Sequence, residues 1–322
     1  MTGYTGASLK KPEALRKGDS IGIVAPAGKI APAILQRGIA RIKGFGFNVI
    51  ESRHLGGSHR YFSGTDSERA GDLQRMFSED VRAILCARGG YGSSRLIPYL
   101  QNDRLRNSNK IFIGNSDLTS LLLHFSRLNI PVFHGPMISY FGREENPLSD
   151  RYFIRMLTDS APAGKSTFPE SEVLKPGVAE GRLAGGCLSL VCHSLGTPFE
   201  IRTDKRILFL EDVNEAPYRI DRMLTQLRLA GKLDRVAGIL FGEFLNCEPP
   251  PGTGYSLKDV LADCLREYKM PVLSGLPFGH GQKNITLPFG LRVRMDTSSK
   301  SIHFLESPVT GNCYPTDFRF GE

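Results

Sequence analysis

The chain has no tryptophan in its 322 residues, so 10 tyrosines and 19 phenylalanines are the aromatic surfaces it can pack or stack on a ligand. No stretch approaches the roughly 18 apolar residues that a membrane-crossing helix needs, and the opening MTGYTGASLKKPEALRKGDS lacks the apolar core of an export signal. A cytoplasmic location, with no membrane partner, is expected. Cysteines are few and unpatterned. Cys86, Cys187, Cys192, Cys247, Cys264 and Cys313 form no C-x-x-C pair, which argues against structural zinc and, in a reducing compartment, for free thiols. Cys187 directly precedes the apolar run LSLVCHSL, which holds the adjacent Cys192 and His193, and packing accounts for these residues better than metal ligation does. Blocks of like charge are also missing. The formal charge is +8, yet Lys and Arg are interleaved with Asp and Glu, so no nucleic-acid partner is expected and the excess reads as a mild attraction for acidic small molecules. No internal repeat or low-complexity segment is visible.

What is present alternates. SIGIVAPA, a periodic stretch from Ala31 to Phe45, FNVIES, an acidic-opened helix from Asp66 to Phe77, and AILCAR read as repeated strand and helix. A helix near Ser93 to Leu100, the strand KIFIG, a further helix and PVFHGPM continue the pattern, which predicts an α/β, Rossmann-like parallel-sheet domain over residues 1–160. DSAPAGKSTFPESEVLKPGVA is rich in Pro, Gly and Ser without periodicity and reads as a linker, 161–179. Beyond it, RILFLEDV, a helix opened by Pro217, VAGILFGEF, a capping box at Ser256 and Asp259 starting a helix to about Tyr268, and a closing hairpin from LRVRMD and SIHFLE predict a smaller β-rich α/β domain over 180–322.

The most informative stretch is KIFIGNSDLTSLLLHF, residues 110–125. A β-branched and aromatic run breaks at Gly114 and becomes helical, which places Ser116 on a strand-to-helix turn where a side chain stands clear of the sheet beside unpaired N–H groups. Ser116 as a helix N-cap fits the same residues, and GNSD lacks the second glycine of G-x-S-x-G. A serine nucleophile needs an imidazole to take its proton and a carboxylate to orient that imidazole. His280, between two glycines in FGHG, is the favoured base, with His134, just past a strand, as its competitor. Glu211 and Asp212 end the strand ILFLEDV, and only one of two alternating side chains can face a given cleft. Glu215, in the next loop, is a candidate substrate contact or a helix-start acid. RGGYG, residues 88–92, follows a strand and precedes a helix, so its N–H groups could bind an anion; it is neither G-x-G-x-x-G nor a Walker loop, and no cofactor is expected.

Taken in order, GDSIGIVAPAG, YFSGTDSERAGDL, ARGGYG, IGNSDLTSLL, HGPM, GRLAGG with LGTP, FLEDVNEAPYRIDRMLTQL, GILFGEF and LPFGHG resemble the L,D-carboxypeptidase family, from about Lys17 to Asp296. That family includes murein tetrapeptide carboxypeptidases and microcin C self-immunity peptidases. The resemblance implies a serine peptidase with Ser116 as nucleophile, Glu211 as orienting acid and His280 as base, and an oxyanion hole from the N–H groups of Gly90 and Asp117. It also implies a homodimer, a triad divided across the cleft between the two domains, and a small muropeptide substrate that loses a terminal D-alanine. Two positions depart from the family pattern: Asn115 stands where an aromatic residue is common, and Cys187 where GGN is common. The rival expectations are a microcin-type hydrolase of aminoacyl or peptidyl nucleotides, disfavoured by the lack of tryptophan, and a two-domain binding protein for a small anion without turnover.

Overall fold

The structure, a computed structural model, describes residues 10–106, 108–143 and 145–311; Cys313 lies outside them. Its first half runs β1 (Ser20–Val24), α1 (Pro32–Gly44), β2 (Asn48–Glu51), α2 (Asp66–Ser78), β3 (Ala83–Cys86), α3 (Asn102–Leu105), β4 (Ile111–Gly114), α4 (Thr119–Arg127), β5 (Val132–His134), α5 (Ile138–Phe141) and α6 (Pro147–Thr158). Proline at the first turn of α1 and a complete Thr65–Glu68 capping box on α2 show why these helices begin where they do. Residues of β3, β4 and β5 are buried without exception, as strands covered on both faces must be, which is why they read as continuous apolar runs.

The second half runs β6 (Gly164–Thr167), β7 (Glu172–Lys175), β8 (Val178–Cys187), α7 (Leu188–His193), β9 (Arg206–Val213), α8 (Pro217–Leu229), β10 (Gly238–Leu245), α9 (Leu257–Cys264), β11 (Val272–Ser274), β12 (Leu287–Pro288), β13 (Arg292–Asp296) and β14 (Ser301–Phe304). One sheet has the order β12-β5-β4-β3-β1-β2, parallel except for β12; the other has the order β6-β14-β13-β8-β9-β10-β11-β7, with a parallel centre from β8 to β11 and antiparallel flanks. Two mixed sheets with covering helices give the expected α/β class. Among the described residues no helix is long and apolar enough to cross a membrane.

Several expectations need correction. The segment 161–179 is no irregular linker: it supplies β6, paired to β14, and β7, paired to β11, both within the second sheet. These are flanking strands whose pairing comes from tertiary neighbours, and GKST carries no apolar residue that could betray a strand. The helix near Ser93 is a single 3₁₀ stretch, Ser94–Tyr99, with Pro98 inside it. α9 stops at Cys264, after which Arg266 and Tyr268 donate to carbonyls three residues back and form turns. Finally, β12 comes from the second half of the chain but pairs with β5 in the first sheet, Leu287 opposite His134. The loop from β11 to β12 therefore crosses from one sheet to the other, and His280 rides on it.

Candidate active site

Ser116 follows β4 with φ of +58°, a left-handed conformation rarely held by a residue with a side chain. It opens a 3₁₀ turn, Ser116–Leu118, that leads into α4. Asn115 is the N-cap of that turn and Leu118 that of α4, so Ser116 does not cap; its hydroxyl lies 2.8 Å from His280 Nε2. His280 Nδ1 lies 2.6 Å from Glu211 Oε2, which completes a chain of hydroxyl, imidazole and carboxylate. The three groups come from the end of β4, the crossing loop and the end of β9.

The two acids of FLED separate as strand alternation requires. Glu211, fully buried, turns to His280, whereas Asp212 accepts the N–H groups of Ser189 at 2.8 Å and Val213 at 2.9 Å. Gly279 is obligatory here: at φ +126° it lies against Glu211, and a Cβ would sit 2.8 Å from Oε2. Burial pushes the Glu211 carboxyl up, opposed by the imidazole it holds. Burial alone would lower His280, but the hydrogen bond to Glu211 and its charge outweigh that and hold the imidazole above its ordinary value.

His134 is brought near yet does no such work. It is wholly buried, edge-on to Phe209 and Phe278 at 5.3 and 6.2 Å, and neither ring nitrogen has a hydrogen-bond partner among the described residues. Burial drops its pKa to about 3, with the neighbouring His280 adding to the effect. Glu215 is paired with Arg219 at 3.4 Å one helical turn on.

The RGGYG loop abuts the serine. A Cβ on Gly89 would stand 2.8 Å from Ser116 Cβ and 3.4 Å from the Asp117 nitrogen, and Gly90 holds φ +111°. Among the described residues no acceptor takes the Gly90 N–H. What locks this loop to the elbow is the Asp117 side chain. Its carboxylate accepts the Ser93 N–H at 2.8 Å, and the Ser93 hydroxyl donates to the Asp117 carbonyl at 2.6 Å. Burial raises the Asp117 carboxyl despite these donors.

The two departures also find places. The Asn115 amide donates to the Gly279 carbonyl at 3.1 Å, bonding the elbow directly to the loop that carries His280. The Cys187 N–H donates to Thr119 Oγ1 at 3.2 Å, and its thiol points to Asp212 at 3.5 Å. Cys192 donates to the Met223 carbonyl at 3.3 Å, and among the described residues no group of three or more His, Cys, Asp or Glu is placed to hold a metal ion.

Models of the LD-carboxypeptidase N-terminal domain and C-terminal domain match residues 21–135 and 180–295. The chain belongs to the LD-carboxypeptidase family. This carboxypeptidase is 39% identical over 297 residues to the probable murein peptide carboxypeptidase of Bacillus subtilis, covering 90% of this chain and 93% of that one. Among solved structures it is similar to the muramoyltetrapeptide carboxypeptidase from Oxalobacter formigenes, with a TM-score of 0.78, 31% identity and coverage of 88% and 97%. It is similar also to the microcin C7 self-immunity protein MccF in complex with aspartyl sulfamoyl adenosine, with a TM-score of 0.86, 27% identity and coverage of 93% and 99%. Asn115 and Asp117 were missed as positioning residues because their partners, Gly279 and Ser93, lie 164 and 24 positions away. The only local signal was the polar pair flanking the serine.

Proposed function

We propose that the chain is a serine carboxypeptidase that cleaves an L,D-peptide bond, releasing the terminal D-alanine of a murein tetrapeptide in the cytoplasm during peptidoglycan recycling. The observation that supports it most is the unbroken chain Ser116–His280–Glu211, with bonds of 2.8 and 2.6 Å. His280 takes the Ser116 proton as the oxygen attacks the scissile carbonyl, and the N–H groups of Gly90 and Asp117 hold the oxyanion. Collapse of the tetrahedral intermediate breaks the C–N bond as His280 returns the proton to the leaving amine. Water, deprotonated by the same imidazole, then releases the acyl group. No cofactor is required. Glu211 stays ionised and fixes the tautomer, Glu215 contacts substrate, the first lobe carries the nucleophile and the second the acid and base, and the working form is a homodimer.

Incubation with murein tetrapeptide and mass spectrometry of the products tests this. Loss of D-alanine is expected, and Ser116→Ala, His280→Ala or Glu211→Ala should each cut kcat by roughly 10⁴-fold or more while the fold persists. Binding without loss of D-alanine would sink the proposal. A second reading, hydrolysis of an aminoacyl nucleotide, is favoured by the exposed rings of Tyr61 and Tyr91, 6.1 Å apart next to the Gly90 loop, on which a base could stack. Aspartyl sulfamoyl adenosine in the same assay separates the two.

A further inference from the structure

An exopeptidase must tell a chain end from an internal bond, and the mark of the end is a carboxylate on the leaving residue. Nothing in the triad reads it. Because His280 Nε2 must reach the leaving amine, the leaving residue lies on the imidazole side of Ser116, away from the Gly90 loop. On that side is a cavity of about 690 Å³ lined by His280, Gln282, Tyr140, Arg37 and Arg143, with no residue of the Gly90 loop in its wall. This volume far exceeds an alanine side chain, so filling the space cannot provide the selection. Charge can. Arg37 Nε donates to the Gly142 carbonyl at 2.9 Å and so braces the turn that carries Arg143. Gly142 lets that turn sit close, since a Cβ there would lie 2.2 Å from the Ile34 carbonyl. The acid in the wall, Glu145, is already paired with Arg41. Among the described residues the Arg143 guanidinium has neither hydrogen bond nor ion pair, and its charge acts on His280.

We propose that Arg143 is the specificity determinant of this carboxypeptidase, a guanidinium that binds the terminal carboxylate of the leaving residue beside His280. This rests on the peptidase reading above and deepens it. The fork of an arginine matches a carboxylate in two bonds. The test compares tetrapeptide as free acid and as C-terminal amide, with wild type, Arg143→Gln and Arg143→Lys. Wild type should prefer the acid by about 10- to 100-fold in kcat/KM, the worth of a hydrogen-bonded charge pair. Arg143→Gln should bring that ratio toward one, chiefly through KM, and Arg143→Lys should recover part of it. An acid preference that survives in Arg143→Gln, or an equal loss on both substrates, overturns the proposal. If wild type cleaves neither, releasing no D-alanine from the acid and no D-alaninamide from the amide, the peptidase reading fails. Calorimetry on Ser116→Ala then judges Arg143 separately: equal affinity for acid and amide overturns it, and acid preference lost in Ser116→Ala/Arg143→Gln supports it.

Discussion

A hydroxyl becomes a nucleophile only when its proton has somewhere to go, and in the proposed reaction the environment of His280 sets the pH at which that holds. The base must be neutral. Burial favours the neutral imidazole, while the bond to Glu211 and its charge favour the cation and prevail, so the pKa lies above 6.5. The neutral fraction is therefore lost as pH falls through a value above 6.5, and the acid limb of kcat/KM is expected there. Glu211→Gln removes the charge but keeps the burial. It should shift that limb downward and reduce kcat by orders of magnitude; a pH–rate profile whose limb stays in place would refute the coupling. Ser116, at φ +58°, is the other cost at this scale, held by the Asp117 anchor to Ser93 and by the close approach of Gly89.

The elements matter because the elbow follows a strand of the first sheet, whereas the base sits on a loop that leaves the second. The Asn115 amide bonds the elbow to that loop at Gly279, one residue before His280. Asn115→Ala leaves that buried carbonyl without its donor, a loss of about 1–3 kcal/mol that falls on the position of the imidazole. The expected outcome is a fall in kcat of about tenfold with KM little changed, and a sharper loss in Asn115→Asp, whose carboxylate would face the carbonyl. Wild-type kcat in both variants would show that the bond positions nothing. The elements themselves were largely legible: Thr65 and Glu68, Ser256 and Asp259, Pro32 and Pro217 start their helices through local chemistry. β6 and β7 were not, because their hydrogen-bond ladders lie on β14 and β11, far along the chain.

At the scale of the whole molecule, two buried histidines tie stability to pH. Burial lowers His134 to about 3 and His124 to about 4, while each has a value near 6.5 in the unfolded chain. With folded values depressed, the unfolded state takes up the protons below pH 6.5 and stability is lost as pH falls toward 4 and 3. From pH 6.5 to 5 each group removes about 2 kcal/mol. His134→Leu, close in volume and losing no hydrogen bond within the described residues, should remove about half of that fall in thermal-melt experiments while carboxypeptidase activity persists. An equally steep fall, or inactivity, would contradict the reading of His134 as a packed, neutral side chain. The amino-acid sequence alone determined the alternation of strands and helices, the elbow at Ser116 and the candidate acids and bases, since these follow from periodicity, capping and chain geometry within a few residues. Local pattern left His134 and Asp212 open beside the His280 and Glu211 that the family resemblance implied; only the tertiary structure brings His280 to the serine, turns Glu211 and not Asp212 to that imidazole, and stands Arg143 beside them. Those outcomes depend on how two sheets dock and on a loop that passes between them, and contacts across 69 to 164 positions leave no trace in local pattern.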